Sequence, residues 1–111
     1  MNVDYIPHNW VLLKITGDTP HYRIFASWRG SYTSGDSWRM NSGITSVEED
    51  EFYYYFFGHS GSIYKCHKKC YGNLGPYAES VLGHYVNRAD GKLEVITKMP
   101  DSFIDIEWNP K

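Results

Sequence analysis

The sequence predicts an α+β fold, an antiparallel β-meander of four to six strands with one helix (about residues 76–88) packed on a face. Three observations support this prediction. Apolar and polar residues alternate with a period of two from Tyr22 to Trp28. Six consecutive aromatic residues, Phe52–Phe57, precede a glycine–serine turn, and aromatic side chains favour strands. The apolar residues after Pro76 recur every three to four positions, which is typical of an amphipathic helix.

The first two strands are predicted to form a hairpin. Trp10–Ile15 is a short apolar run that ends at the turn cluster Gly17–Pro20. Tyr22–Trp28 follows as the second strand, because successive side chains of a strand point to opposite faces of the sheet. One of its faces carries Tyr22, Ile24, Ala26 and Trp28, and the other carries Arg23, Phe25, Ser27 and, just beyond the strand, Arg29.

A loop and a third strand are predicted next. Gly30–Ser37 consists of Gly, Ser, Thr and Asp residues with one Tyr, a composition typical of loops. Trp38–Met40 then leads into a third strand at Ile44–Val47. The acidic run Glu48–Glu51 follows, and we interpret it as a solvated turn because four adjacent carboxylates repel one another.

The aromatic run is predicted to form a second hairpin. Phe52–Phe57 and Ile63–Cys66 are separated by the turn Gly58–Ser62. Neighbouring side chains of a strand face opposite ways, so we expect the helix to cover one set of rings and a partner or ligand to cover the other. The protein is therefore predicted to self-associate, most simply as a dimer. The two sets are Phe52, Tyr54 and Phe56 against Tyr53, Tyr55 and Phe57.

The C-terminal third predicts the helix and a late strand. Pro76 suits a first helical position and Asp90-Gly91 a helix end, which gives Pro76–Arg88 as the only long helix. Leu93–Ile96 is a late strand. Residues 1–111 are predicted to form a single small domain with an extended tail at 99–111, where alternation is compatible with one more strand. The apolar positions of that alternation are Ile104, Ile106 and Trp108.

Composition limits the classes of function. The formal net charge of −2 removes the strongly basic balance typical of general nucleic-acid binding. No apolar run approaches the roughly 20 residues that span a bilayer, and the N-terminus lacks a basic and then apolar leader. We therefore expect a cytosolic protein with no membrane partner, reduced cysteines and no cofactor. Aromatic residues reach 17% of the chain, more than one small core can bury, which indicates exposed rings at an interface.

The segment between Arg23 and Arg39 is the candidate ligand-binding site. It combines arginines and aromatic rings with a Gly/Ser loop. Phosphates are held by backbone N–H groups of such loops together with an Arg fork, and bases stack on rings and guanidinium planes. The alternative is a hairpin with packed tryptophans and solvated arginines. The candidate residues are Arg23, Trp28, Arg29, Tyr32, Ser34, Gly35, Trp38 and Arg39.

A cysteine–histidine cluster is the alternative site. Cys66, His67 and Cys70, with His59 or His84, offer the ligand types that zinc prefers. The cysteines are separated by three residues and no second pair follows, so we favour a site without metal. A cysteine nucleophile beside one of these histidines is the enzymatic version of the same hypothesis.

Two strings in the middle of the chain carry a resemblance. Gly35–Ile44 and Ser60–Gly72 resemble segments of short, uncharacterised proteins of tailed bacteriophages. The family has no settled activity, so the resemblance supplies no catalytic or binding residue. It implies a small protein made in the host cytoplasm. Accessory proteins of this kind often disable a host defence by binding a defence protein or its nucleotide signal.

The leading hypothesis is thus a counter-defence or host-takeover inhibitor that binds stoichiometrically. Its partner would be a host defence protein or a small phosphorylated nucleotide signal, and the inhibitor itself would be a homo-oligomer. A small enzyme that depends on the cysteine–histidine cluster is one alternative. Another is a module for single-stranded nucleic acid, which we do not favour. That module would use Tyr53, Tyr55, Tyr64, Lys65, Lys68 and Lys69.

Overall fold

The computed structural model describes residues 2–17, 19–30, 35–98, 103 and 108. Strands and one helix fill most of this part of the chain, which confirms the α+β class. The helix has the predicted bounds. In chain order the elements are β1 (Asn9–Ile15), β2 (His21–Trp28), β3 (Ser37–Met40), β4 (Ile44–Glu49), β5 (Tyr53–Gly58), β6 (Ile63–His67), α1 (Pro76–Arg88) and β7 (Leu93–Ile96).

The strands form two antiparallel sheets, with the orders β3-β2-β1-β7 and β4-β5-β6. The sequence predicted that Trp38–Met40 leads into the strand at Ile44, whereas the structure gives β3 and β4 to different sheets. Two features explain why β3 ends at Met40 and does not continue into β4. The Asn41 side chain accepts a 2.8 Å hydrogen bond from the backbone N–H of Ile24 and so fixes the end of β3 to β2. Gly43 then adopts a φ of 132°, a conformation that favours glycine.

The four-stranded sheet lies between the helix and the three-stranded sheet. Side chains of β1 and β2 alternate between its two faces, as the sequence predicted for β2. The helix side buries Val11, Leu13, Phe25, Leu74, Ala78 and Leu82. The other side buries Trp10, Leu12, Ile24 and Ala26 against Ile44, Tyr54, Phe56, Tyr64 and Cys66.

The aromatic run of β5 is therefore covered differently from the prediction. Tyr54 and Phe56 are buried, and their rings contact Trp10 and Phe103 instead of the helix. The helix cannot reach them because the four-stranded sheet lies between the two. Phe52 was grouped with Tyr54 and Phe56, but it precedes β5 and is 55% exposed, so it does not share their burial.

Hydrogen bonds from two aromatic side chains fasten the connection between β6 and α1 to the central sheet. The indole Nε1 of Trp10 donates to the carbonyl of His67 at 2.8 Å. The Tyr71 hydroxyl donates to the carbonyl of Ile96 and accepts from the N–H of Leu12, so it closes the end of the β1–β7 pairing. These bonds fix the β6–α1 connection against β1 and β7 of the four-stranded sheet.

The N-terminal segment adds to the edge of β6. The backbone N–H of Tyr5 donates to Ile63 and that of Lys65 donates to Tyr5. The predicted tail strand lies outside the described residues except for Phe103 and Trp108, whose rings stack at 5.7 Å. In the part of the chain described, no helix has the length and apolar character needed to cross a bilayer.

Candidate functional site

Two of the sequence-predicted site residues, Trp28 and Arg39, both contact the ring of Tyr5. The Arg39 guanidinium carbon lies 4.5 Å from the centre of the Tyr5 ring. The Tyr5 ring also lies edge-on to Trp28 at 6.2 Å, and the Trp28 indole donates to the carbonyl of Ile6. The N-terminal segment thus joins these two residues, a contact that no sequence pattern indicated.

Arg29 has a role in holding the loop before α1. Its Nη2 donates a 2.9 Å hydrogen bond to the carbonyl of Asn73, and its backbone N–H donates to the His8 ring. A Cβ added to Gly75 would lie 3.0 Å from the Arg29 guanidinium, so the glycine permits this close approach. Arg29 is nevertheless exposed and remains available to a ligand.

Trp38 and Arg23 lie on the helix side of the four-stranded sheet. The Trp38 ring stacks on Phe25 at 5.3 Å with 7° between the planes and meets Tyr85 edge-on. The Arg23 Nε donates to the His21 ring at 2.9 Å. Trp28 and Arg39 project from the opposite side of this sheet, as the register of β2 and β3 requires.

The remaining residues of the predicted site lie in the loop between β2 and β3. Gly35 is exposed with a φ of 69°, and the Asp36 carboxylate accepts from the N–H of Gly30 at 3.0 Å. Tyr32 and Ser34 lie outside the described residues. That these residues act together as one binding surface stays a prediction.

The cysteine–histidine cluster is divided by the sheet. Cys66 is fully buried in the core, whereas His67, the next residue of β6, faces outward. Burial raises the pKa of the Cys66 thiol well above its usual range, which opposes thiolate chemistry. Cys70 is half-buried and both cysteines are free thiols. Within the described ranges, no group of three or more His, Cys, Asp or Glu residues could hold a metal ion.

The outward side of the three-stranded sheet carries a continuous row of rings. These residues alternate with the buried Tyr54 and Phe56 along β5, and each is paired with an outward residue of β6. All are half-buried by one another and face away from the core. We call this surface the outer aromatic face. It consists of Tyr53, Tyr55 and Phe57 on β5 with His67, Lys65 and Ile63 opposite them on β6.

Contacts within the outer aromatic face fix its rings. The Lys65 ammonium lies 4.4 Å from the centre of the Tyr53 ring and 5.8 Å from that of Tyr55. The His67 ring meets Tyr53 edge-on at 4.9 Å. The Tyr55 hydroxyl donates to the Asp50 carboxylate at 2.6 Å. A partner would therefore meet rings that are already ordered, which lowers the entropy lost on binding.

The structure corrects the residues assigned to nucleic-acid binding. Tyr64 is 2% exposed and packs in the core, so no base can stack on it. Burial is also the main cause that raises the pKa of Tyr64 to about 12. Lys68 forms a 2.7 Å ion pair with Glu49. Tyr53, Tyr55 and Lys65 do share the outer aromatic face.

Comparison of the chain with protein families, with curated proteins and with solved structures finds no match. No residue role can be transferred from a relative. The outer aromatic face is the surface on which the contacts, burial and charge of the described residues converge.

Proposed function

We propose that this protein acts by stoichiometric binding and docks its outer aromatic face on a host protein, as a phage-type counter-defence or host-takeover inhibitor. The observation that carries the proposal is the row Tyr53, Tyr55 and Phe57, which the central strand of a three-stranded sheet holds outward. Aromatic side chains are enriched in protein interfaces because they bury a large area at low entropic cost.

Charge favours a protein over a nucleic acid at this face. Lys68 is paired with Glu49, which leaves Lys65 as the ammonium among the rings. Glu48 lies directly opposite Tyr55, and Asp50 is bonded to the same ring. If a nucleic acid bound this face, one lysine beside two carboxylates would release only about one counterion. Typical nucleic-acid-binding proteins make about six to ten phosphate contacts, and their affinity falls much more steeply with salt.

The chemistry of the cysteine–histidine cluster supports binding over catalysis. The Cys66 thiol is buried and its pKa is raised, so it is a poor nucleophile. The outer aromatic face carries Lys65 and His67 but no cysteine or carboxylate in contact with that histidine. A surface of this kind recognises shape and apolar area.

The face also specifies what the partner should offer. Its centre is formed by aromatic rings, two of which carry hydroxyls, and its positive charge is the Lys65 ammonium, which lies over two tyrosine rings. A complementary surface is an apolar strip with one carboxylate placed to meet Lys65, and with its own cations near Glu48. Such an arrangement fixes the register of the complex through charge while the rings supply most of the affinity.

The proposal is tested with a double variant and a matched control. Tyr53→Ser with Phe57→Ser removes two rings of the face. Tyr77→Ser removes a ring that is 50% exposed on α1, on the other side of the molecule. A host protein captured by the wild type and by Tyr77→Ser, but not by the double variant, is then purified and titrated against each form.

We expect a saturable one-to-one complex that the double variant weakens by at least about 2 kcal/mol, or roughly thirtyfold. Equal affinity of the double variant and the wild type contradicts the proposal. Inhibition of the partner at substoichiometric amounts indicates an enzyme instead. Saturable binding of a single-stranded oligonucleotide that the double variant loses would assign the same face to nucleic acid.

A further inference from the structure

Three turns meet at one end of the two sheets and line an open cavity of about 250 Å³. The N–H of His59 donates to the carbonyl of Gly43 at 2.7 Å, and the N–H of Ser60 donates to the Ser42 hydroxyl at 3.0 Å. These bonds join the β5–β6 turn to the β3–β4 connection, beside the start of β2. The cavity is lined by Thr19, His21, Arg23, Ser42, Gly43, Ile44, Thr45 and His59.

Arg23 is oriented within this cavity by His21. The His21 Nδ1 lies 2.7 Å from the carbonyl of Thr19, which can only accept a hydrogen bond, so Nδ1 carries the ring proton. Its Nε2 then accepts from the Arg23 Nε at 2.9 Å. The Arg23 side chain is half-buried, and among the described residues the partner of its Nη1 is the Met40 sulfur at 3.8 Å. Its remaining donors are held in place for an acceptor.

The other polar groups of the cavity also suit an acceptor ligand. The Ser42 hydroxyl oxygen accepts from Ser60, which leaves its O–H free to donate. His59 is exposed at the rim and adds a ring nitrogen. Among the described residues that line the cavity, none has an acidic side chain. The lining thus presents donors and positive charge without a carboxylate to neutralise them.

Asn41 adds a buried donor next to this lining. It precedes Ser42, is 4% exposed, and its Nδ2 has no hydrogen-bond partner. The same Nδ2 lies 3.6 Å from the position of a Cβ on Gly58, which in turn would lie 3.7 Å from the Gly43 carbonyl. A buried donor without an acceptor is unfavourable, and Asn41 lies behind the lining and not in it, so a ligand would be held by the donors that line the cavity.

We infer that this cavity binds the phosphate group of a small phosphate monoester. An arginine fork with hydroxyl and ring donors is the usual protein arrangement for phosphate. The volume lies just below the about 300–1,000 Å³ of typical ligand pockets, which favours a mononucleotide-sized ligand over a dinucleotide. The inference goes beyond the docking function and does not depend on it, because no residue of the outer aromatic face lines the cavity.

The experiment is calorimetric titration of the whole chain with AMP, inorganic phosphate and adenosine. The variants are Arg23→Gln and His59→Ala, and the matched control is Arg88→Gln, an exposed arginine of α1. We expect saturable AMP binding tighter than about 1 mM. Arg23→Gln should weaken it about ten- to a hundredfold, His59→Ala should weaken it less, and Arg88→Gln should leave it unchanged.

Tighter binding of AMP than of inorganic phosphate supports a monoester site, and comparable binding of the two supports a site for the phosphate group alone. Adenosine that binds as tightly as AMP overturns the inference, and so does AMP binding that Arg23→Gln and Arg88→Gln weaken equally. The Tyr53→Ser/Phe57→Ser variant separates the two proposals, because it should lose the host protein and retain AMP.

Discussion

The hydroxyl of Tyr55 donates a 2.6 Å hydrogen bond to Oδ2 of Asp50, which connects the outer aromatic face to the acidic turn before β5. Oδ1 of the same carboxylate accepts from the backbone N–H groups of Phe52 and Tyr53. These bonds, the Tyr55 bond foremost, hold the pKa of Asp50 below its usual value. The acidic run is exposed, as expected, but only its second half is a turn. Glu48 and Glu49 end strand β4, where they pair with β5, and the Asp50 carboxylate organises the start of β5.

This relationship predicts a pH-dependent effect of Tyr55→Phe. Because the pKa of Asp50 is lowered in the folded protein, its stabilisation is present above its unfolded value of about 3.9. That stabilisation is lost as the pH falls through the folded value. The wild type should therefore have a higher melting temperature than Tyr55→Phe at neutral pH. The difference between the two melting temperatures should disappear below about pH 4. Thermal unfolding followed by circular dichroism across this range measures it.

Tyr53→Phe is the control for this prediction. Tyr53 lies on the same face as Tyr55 and two positions away, and its ring contacts Lys65 and His67. Removal of its hydroxyl should change the melting temperature by an amount that does not vary between neutral and acid pH. If the melting-temperature difference between Tyr55→Phe and the wild type does not vary with pH, the hydrogen bond to Asp50 is not its cause.

Tyr71→Phe should lower the free energy of unfolding by about 1–3 kcal/mol. The hydroxyl accepts from Leu12 and donates to Ile96, and its loss leaves both backbone groups short of a partner at the end of the β1–β7 pairing. Burial is the main cause that raises the pKa of this phenol. Urea unfolding of Tyr71→Phe beside Tyr77→Phe, whose ring is 50% exposed, tests this. Equal stability of the two variants contradicts it.

The two thiols should differ in reactivity. Cys66 is fully buried with its pKa raised well above the usual range, whereas Cys70 is half-buried. In the native protein one thiol should react with a disulfide reagent at neutral pH, and the second should react only when the protein is unfolded. Cys70→Ala should remove the fast phase. Rapid native labelling of Cys66 would contradict its burial and revive the enzymatic hypothesis.

The residues of the elements were largely predictable, because each strand carries a local pattern. The alternation in Tyr22–Trp28 and the helical spacing after Pro76 depend on near neighbours, and the structure confirms both. The division into two sheets was not predictable in this way. It depends on a hydrogen bond from Ile24 to Asn41, residues that are far apart in the chain, and on the φ of Gly43.

The candidate sites show the same limit. Strand alternation alone predicts that Tyr53, Tyr55 and Phe57 share one face of β5. Which face is outward depends on how the two sheets pack, so the sequence left it open. The cavity beside Arg23 is built from three turns, and His59 is brought to it by a hydrogen bond to Gly43. No spacing in the sequence indicates such a contact. Arg23 was selected for its chemistry, while its neighbours in space were missed.

The free protein should self-associate through the outer aromatic face. An exposed row of rings loses apolar area from water when two copies pair. Light scattering at high concentration should show a dimer that Tyr53→Ser with Phe57→Ser shifts toward monomer and that Tyr77→Ser leaves unchanged. Because the host partner would use the same face, it should compete with self-association. A monomeric mass at all concentrations would leave this prediction without support.

The last prediction compares the sequence-predicted arginines with the cysteine–histidine cluster. Arg29 and Arg39 are both exposed, and the Arg39 guanidinium lies over the Tyr5 ring. Replacing Arg39 with Ala should lower the free energy of unfolding by only about 0.5–1 kcal/mol, the usual contribution of an exposed cation–π contact. If these arginines contact a ligand, the loss of a charged hydrogen bond should weaken binding about ten- to a hundredfold.

The measurement is binding activity together with melting temperature for Arg29→Ala, Arg39→Ala, Cys66→Ala and His67→Ala. Cys66→Ala should act through stability, because its side chain is fully buried in the core. If Arg39 contacts a ligand, Arg39→Ala should weaken binding at a melting temperature close to that of the wild type. Arg29→Ala should in addition lower the melting temperature, because the hydrogen bond from its Nη2 to the carbonyl of Asn73 is lost. If both arginine variants remain fully active while the Cys66 and His67 variants lose activity without unfolding, the arginine surface is wrong. A thiol or metal mechanism would then be favoured by the loss in Cys66→Ala, whereas a loss in His67→Ala alone also fits docking through the outer aromatic face, which includes His67.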